Sequence, residues 1–131
     1  MLLVVDASVA IQISIAGVGL GRLESHELIA PPLLASEVTS TLSEMAYRGE
    51  MPPEQARRAM IAAHQLGIRE ERTESLHRDA WDLARALGWA KTYDAEYVFL
   101  ARRLGVPLVT IDARLRRGVG HLVEMPLVSD L

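Results

Sequence analysis

The chain begins with an uninterrupted apolar run, Leu2–Val5, that ends in an acid, Asp6. A strand that is apolar throughout, and not only at alternate positions, is typical of parallel sheets that carry helices on both faces. Such a strand would lie at the centre of the domain and place Asp6 at its carboxyl end. Because open α/β sheets bind ligands outside the carboxyl ends of their strands, Asp6 is a candidate functional residue.

Length and composition favour a single domain over residues 1–131 with a full core, since half of the residues are hydrophobic. The absence of cysteine excludes disulfides and thiolate metal sites. No segment approaches the roughly 20 apolar residues of a membrane span, and the basic start of a signal peptide is missing, so we expect a soluble cytoplasmic protein. The net charge of −3 argues against a broadly basic nucleic-acid-binding surface, although thirteen arginines against one lysine allow local basic patches.

Helices and strands alternate along the sequence, which is the pattern of a doubly wound parallel sheet. Residues 7–16 fit a helix or a strand, and a helix is favoured because the segment lacks the Gly, Asn or Pro of a tight turn. The glycine-rich segment 17–21 resembles a phosphate-binding loop only superficially, and its position after a helix favours a helix stop and a loop. We predict further strands at 26–30, 68–72, 106–111 and 122–128, and further helices at 33–48, 52–66, 76–87, 93–104 and 114–117.

Two acids follow apolar strands in the same way. Asp6 and Asp112 each come after a near-continuous apolar run and before a small residue that starts a helix. Capping that helix is an equally good interpretation of either acid alone. If the two strands converge, however, like charges meet at one sheet edge, which indicates a bound cation or a raised pKa.

Asp94 and Glu37 are further candidate acids. Asp94 shares a helical stripe with Val98 and Ala101 that is predicted to face inward, where an acid needs a partner. Glu37 flanks the apolar stripe of its own helix and, taken alone, fits a solvated glutamate. A carboxylate cluster without His or Cys prefers Mg²⁺ or Mn²⁺ to zinc. Two such ions about 4 Å apart can activate a water and stabilise the leaving oxygen in phosphodiester hydrolysis.

The four acids lie in segments that resemble the acidic motifs of the PIN-domain nucleases. These segments are Val4-Val5-Asp6-Ala7-Ser8, Ser36-Glu37-Val38, Tyr93-Asp94-Ala95-Glu96 and Val109-Thr110-Ile111-Asp112. Each is short, but their order and spacing cover essentially the whole chain. Length and the punctuation by glycine and proline are similar to the VapC toxins of VapBC toxin-antitoxin modules.

The resemblance implies a three-layer α/β/α fold with a central, mainly parallel sheet. It also implies an endoribonuclease toxin that hydrolyses RNA with a water activated by Mg²⁺, for which Mn²⁺ can substitute. The expected partners are a second copy of the chain, in a homodimer, and a VapB-like antitoxin whose tail lies across the active-site groove. Two departures from the family pattern, the alternating segment 9–15 and the glycine-rich segment 17–21, leave the shape of this groove open.

The resemblance also assigns roles by position. The catalytic and metal-binding residues would be Asp6, Glu37, Asp94 and Asp112. Asp6 and Asp94 would bind metal directly, and the other two partly through water or a second metal. Ser8 and Thr110 would supply hydrogen bonds to these ligands. Glu96 is left out, because a step of two residues along a helix points it away from Asp94.

Three arginines directly after the last motif are candidates for binding the RNA backbone, and a solvated basic turn is an equally good interpretation. They are Arg114, Arg116 and Arg117. The two tryptophans, Trp81 and Trp89, flank the end of a predicted helix, and core or dimer packing explains them better than base stacking.

Two other functions stay open. The first is a PIN-like domain that has lost catalysis and serves as a binding scaffold, although the presence of all four acids argues against it. The second is a receiver-type signalling domain, which also gathers acids around Mg²⁺. A receiver needs a lysine at the end of a late strand, whereas Lys91 precedes a helix.

Overall fold

The apolar run at the start of the chain forms a central strand, as predicted. In the computed structural model, which describes residues 1–17 and 20–131, β1 (Leu2–Val5) lies between β2 (Glu27–Ala30) and β4 (Leu108–Val109). β3 (Arg69–Glu70) pairs with β2 at the sheet edge, and every pair is parallel. Three of the four residues of β1 are fully buried, which explains why no polar residue interrupts the run.

Helices cover both faces of this sheet and confirm the predicted three-layer α/β/α arrangement. Leu3 and Val5 point to the layer that contains α1, whereas Val4 packs in the cluster that contains α6. The helices in chain order are α1 (Ala7–Ala16), α2 (Leu20–Leu23), α3 (Leu33–Tyr47), α4 (Pro53–His64), α5 (Leu76–Leu87), α6 (Tyr93–Leu104) and α7 (Ala113–Val119), followed by a 3₁₀ turn at Val128–Asp130.

The ambiguous segment 7–16 is helical, as favoured from the sequence. Val9 and Ile13, one turn apart, are buried, while Ile15 is exposed. The apparent alternation of the isoleucines therefore does not define two faces of a strand.

The glycine-rich segment 17–21 begins with a helix stop. Gly17 has a left-handed backbone (φ 68°), which glycine adopts readily, and its N–H donates to the carbonyl of Ile13 at 2.7 Å. Residues 18 and 19 lie outside the described residues, so the predicted loop is described only in part. The segment ends within the short helix α2.

α3 and α4 form a helical hairpin whose apolar faces pack within the chain. Val38 and Leu42 of α3 share a buried cluster with Ala10 of α1 and with three alanines of α4. Pro53 occupies the first turn of α4, where a missing N–H costs nothing. The hairpin thus anchors α3, which carries Glu37, against α1.

The predicted strand at 122–128 is wrong. The structure shows no strand there, although a backbone hydrogen bond joins the N–H of Leu108 to the carbonyl of Glu124 at 2.9 Å. Pro126 has no N–H to continue such a ladder. The predicted strand 106–111 shortens to Leu108–Val109, and the predicted turn 114–117 lengthens into α7.

Candidate functional site

Two parallel strands end side by side and place the first acid. β1 and β4 pair in register at Val5 and Val109, so the next residues, Asp6 and Thr110, are neighbours. The hydroxyl of Thr110 donates to Oδ2 of Asp6, and the hydroxyl of Ser8 donates to Oδ1 at 2.5 Å. Both hydroxyl residues chosen from the resemblance therefore contact Asp6.

Asp6 and Asp112 both cap helices, so the capping interpretation is correct for each. Oδ1 of Asp6 accepts the N–H of Val9 at 3.2 Å. Oδ1 of Asp112 accepts the N–H groups of Arg114 at 2.9 Å and Leu115 at 3.3 Å. Within the described residues, Oδ2 of Asp112 makes no hydrogen bond. Capping fixes the orientation of this carboxylate and leaves one oxygen for other chemistry.

The other acids surround one open cleft of about 560 Å³. Glu37 from α3, Asp94 from α6 and Asp112 line it together. Asp6 is not part of the lining, because it is only 6 % exposed at the end of β1. The remaining lining residues are Gly88, Trp89, Ala90, Lys91, Tyr93, Arg114 and Leu115.

Asp94 does not lie where the helical stripe predicted. Val98 and Ala101 are fully buried, but Asp94 is exposed. α6 begins at Tyr93, so the side chain of Asp94 in its first turn reaches the cleft, whereas that of Ala95 in the same turn is already buried in the core. The prediction that Asp94 faces inward is therefore wrong, and its neighbours in the cleft are other carboxylates.

Glu37 is not the solvated glutamate that its own helix suggests. It is half-buried, and the hydroxyl of Tyr97 donates to its Oε1. Tyr97 is 1 % exposed, so its ring belongs to the core while its hydroxyl holds the carboxylate. Glu96 is buried outside the cleft lining, with Oε1 3.8 Å from Nε2 of His77, as expected for a side chain that points away from the site.

Three carboxyl groups of the site have raised pKa values. Burial raises the pKa of Asp6 and of Glu37, and hydrogen bonds to each carboxylate oppose the rise. Although Asp94 is exposed as a residue, partial burial of its carboxyl group raises its pKa. The charges of Asp112 and Asp6 raise this pKa further, and Arg114 lowers it. A cation or a proton would relieve this repulsion.

These pKa shifts predict how stability depends on pH in the absence of metal. An acid whose pKa is raised on folding binds protons more tightly in the folded state, so acidification stabilises the fold. Asp6, Glu37 and Asp94 all shift in this direction from ordinary values of 3.8 to 4.5. We expect the melting temperature in EDTA to rise as the pH is lowered from neutral towards the ordinary pKa range of these acids.

The test compares wild-type protein with Asp94→Asn. The matched control is Asp82→Asn, which changes an exposed acid of α5 outside the cleft. Thermal melts followed by circular dichroism should show a weaker pH dependence for Asp94→Asn and an unchanged one for Asp82→Asn. A melting temperature that falls on acidification equally in all three proteins would contradict the assigned repulsion.

The side chains around the cleft are of the type that binds a hard divalent cation, but they are not close enough together to coordinate one. Among the described residues, no three His, Asp or Glu side chains form a group that could hold a metal ion as they stand. The acids that line the cleft nevertheless offer carboxylate oxygens, and no His is among its described lining residues, which suits Mg²⁺ and Mn²⁺. The pKa of Asp94 is raised first by burial and further by the charges of Asp112 and Asp6, and a bound cation would relieve that repulsion. The side chains would have to draw together around an ion.

The structure brings one of the three candidate arginines into the cleft. Arg114 lines it, with Nε 3.9 Å from Oδ1 of Asp112 and a side chain that is 87 % exposed. Arg116 donates to the carbonyl of Pro126 at 3.5 Å, and Arg117 is exposed outside the lining.

Sequence reasoning missed the segment that forms the wall preceding α6. Trp89, Lys91 and Tyr93 all line the cleft. Trp89 does pack against the core, as predicted, but it also reaches the site. The sequence offered one indication that these residues lie near the site, which is that they directly precede the motif containing Asp94.

Comparison with known proteins gives consistent results, although no protein-family model matches the chain. Ribonuclease VapC1 of Mycobacterium tuberculosis is 34 % identical over 132 residues, which covers 95 % of this chain and 96 % of that protein. Ribonuclease VapC9 of the same species is 33 % identical over 116 residues, covering 87 % and 88 %.

Solved structures share the fold at lower identity. PAE2754 from Pyrobaculum aerophilum superimposes with a TM-score of 0.75 at 21 % identity, covering 99 % of this chain and 94 % of that one. VapBC-1 from nontypeable Haemophilus influenzae gives a TM-score of 0.67 at 14 % identity, covering 98 % and 99 %. These likenesses agree with the PIN-like fold that the acidic motifs predicted.

Proposed function

As this chain belongs to the VapC ribonuclease family, we propose that it is a metal-dependent endoribonuclease toxin whose catalytic centre is the acidic cleft. The observation that carries the proposal is the convergence of Glu37, Asp94 and Asp112 on one cleft, next to the strand end that holds Asp6. Family membership also removes the receiver-type alternative.

The proposed cofactor is Mg²⁺, with Mn²⁺ as a substitute. Asp6 and Asp94 would hold the ion, and Glu37 and Asp112 would contribute partly through water. When bound, the ion would supply a water of lowered pKa and would neutralise charge that develops on the phosphate.

The residues of the chain would prepare the site for this chemistry. Ser8 and Thr110 fix both oxygens of Asp6, so its orientation is set before substrate arrives. A carboxylate with a raised pKa is a better proton acceptor near neutral pH, which suits Glu37 to the removal of a proton from water. Arg114 would bind a phosphate of the RNA at the rim.

The proposed partners follow from the same family. The structural neighbour from Haemophilus influenzae is a VapBC protein, which supports a VapB-like antitoxin as the inhibitor of this chain. A segment that covers the cleft would block access to all three acids that line it. We also propose a homodimer. No helix in the described residues is both long and apolar enough to cross a membrane.

The first test is cleavage of total cellular RNA by purified protein freed of antitoxin. Discrete fragments with 5′-phosphate and 3′-hydroxyl ends are expected with Mg²⁺ or Mn²⁺, and none with EDTA or with Asp6→Asn. Asn can retain the cap on Val9 but not the charge. A folded, antitoxin-free protein that cleaves nothing with either metal would overturn the proposal in favour of a binding scaffold.

A further inference from the structure

A second cavity lies on the face of the sheet that α1 covers, apart from the acidic cleft. Its volume is about 350 Å³, and among the described residues it shares no lining residue with the cleft. Its inner wall is formed by Val5 of β1, Val9 and Ile13 of α1, Leu23 of α2 and Leu28 of β2. We call it the α1 cavity.

The inner wall of the α1 cavity belongs to the hydrophobic core. Its five side chains share one buried cluster, and each is at most 8 % exposed. Protein interiors contain few voids larger than a water molecule, and pockets for small molecules begin at about 300 Å³. An engineered apolar cavity of about 150 Å³ binds benzene. The α1 cavity, at about 350 Å³, therefore has room for one aromatic ring and a short chain.

His26 supplies a polar contact at the rim of the α1 cavity. Its backbone N–H donates to the carbonyl of Leu23 at 2.9 Å, which fixes the start of β2 beside the cavity. Nδ1 of its imidazole is shielded from solvent and has no hydrogen-bond partner among the described residues. Because buried polar atoms are nearly always paired, this nitrogen needs an explanation. An N–H group of a bound molecule would donate to it.

The charge at the rim favours a cation. Glu24 and Glu27 both line the α1 cavity, whereas its described lining residues include no lysine or arginine. Glu27 already pairs with Arg69 at 2.7 Å. Within the described part of the chain, Glu24 forms no ion pair. An ammonium group at the rim would gain the attraction of this carboxylate, and a carboxylate ligand would be repelled.

We propose that the α1 cavity binds a small hydrophobic primary amine, with its apolar body against the inner wall and its ammonium group between His26 and Glu24. The inference goes beyond the ribonuclease function and does not depend on it, because none of the four acids contacts this ligand. The cavity does border the segment that positions Asp6. Val5 precedes this acid, and the N–H of Val9 donates to its Oδ1 at 3.2 Å.

The probe for the test is 2-phenylethylamine, which joins one ring to an amine through a short chain. Calorimetry with the full chain should show saturable binding of one molecule per chain. The matched ligand, 3-phenylpropanoate, carries a carboxylate in place of the ammonium group and should bind at least roughly tenfold more weakly. Nuclear Overhauser effects from the ring protons should reach the methyl groups of Val9, Ile13 and Leu28, which locates the amine without any substitution.

Three variants test the two ends of the site. Leu66→Trp enlarges a partly buried side chain that lines the cavity, so it should abolish binding of the amine. Leu104→Trp makes the same change at a residue of α6 that is 38 % exposed outside the cavity, and it should bind as wild type does. His26→Phe keeps a ring but removes Nδ1, and it should weaken the Kd roughly tenfold, the cost of about one hydrogen bond. Thermal melts establish that each variant is folded.

Each outcome decides for or against the amine site. Binding that is lost in Leu66→Trp and kept in Leu104→Trp supports it. Absence of saturable binding by the folded wild-type chain overturns it, and so does equal binding of the amine and the carboxylate. If Leu66→Trp does not fold, the contacts to Val9, Ile13 and Leu28 decide, since a bound amine that touches other methyl groups lies elsewhere. None of these results bears on RNA cleavage, so failure here leaves the proposed ribonuclease intact.

Discussion

Asp94→Asn should reduce RNA cleavage by roughly a thousandfold, the upper range for removal of one pre-organised electrostatic group from a catalytic centre. Asn keeps the size of the side chain and its place in the first turn of α6 but loses the charge that would hold the metal. Asp94 makes no hydrogen bond that stabilises the described fold, and its carboxylate is repelled by Asp112 and Asp6. The melting temperature at neutral pH should therefore stay the same or rise slightly.

The measurement is cleavage of a fixed RNA under saturating Mg²⁺, together with a thermal melt of each protein. Asp82→Asn is the matched control, since it makes the same chemical change on the exposed surface of α5. It should retain full activity. An Asp94→Asn protein that cleaves as well as Asp82→Asn would remove the acidic cleft from the mechanism.

The strands and helices that bury apolar stripes were predictable from sequence alone. Each of three patterns favours a single local structure. They are the apolar run before Asp6, the periodicity of α3 and the glycines that end α5 and α6. The prediction of a strand at 122–128 was wrong. The segment has the apolar content of a strand, but Pro126 and the short neighbouring strand β4 leave few backbone groups to pair. Apolar content alone does not specify a hydrogen-bonding partner.

Candidate site residues could be chosen from sequence, but their geometry could not. Motif order selected four acids, of which three line one cleft, and only the register between β1 and β4 places Thr110 beside Asp6. Nothing in the sequence of α6 indicates that Asp94 opens on the cleft, because its helical stripe continues into the core. Trp89 was missed as a cleft residue because its indole packs against the core, as predicted, and lines the cleft as well.

The contact between Tyr97 and Glu37 is the clearest case of information that only the fold supplies, and it leads to a second prediction. Sixty residues separate the two side chains, and the tyrosine hydroxyl is the hydrogen-bond donor that holds Glu37. Tyr97→Phe removes this donor and little else, because the ring is 1 % exposed among core residues such as Val98 and Leu100. We therefore assign Tyr97 as a positioning residue that acts through Glu37.

We expect Tyr97→Phe to lower both Mn²⁺ affinity and RNA cleavage by roughly 10- to 100-fold, the usual cost of losing a group that orients a metal ligand. The hydrogen bond from Tyr97 lowers the pKa of Glu37, against the larger effect of burial, so its loss lets that pKa rise further. The acid limb of the pH–rate profile should move to higher pH. Mn²⁺ binding is measured by electron paramagnetic resonance of the free ion, which does not depend on turnover.

A double-mutant cycle distinguishes positioning from a general structural role. If Tyr97 acts through Glu37, adding Tyr97→Phe to Glu37→Gln should cost little beyond Glu37→Gln alone, because the charge that the hydroxyl orients is already gone. Tyr47→Phe, at a side chain that is 92 % exposed, is the matched control and should behave as wild type. Additive losses in the cycle, or wild-type Mn²⁺ binding by Tyr97→Phe, would mean that Glu37 is held in place by the burial of α3 and not by the phenol.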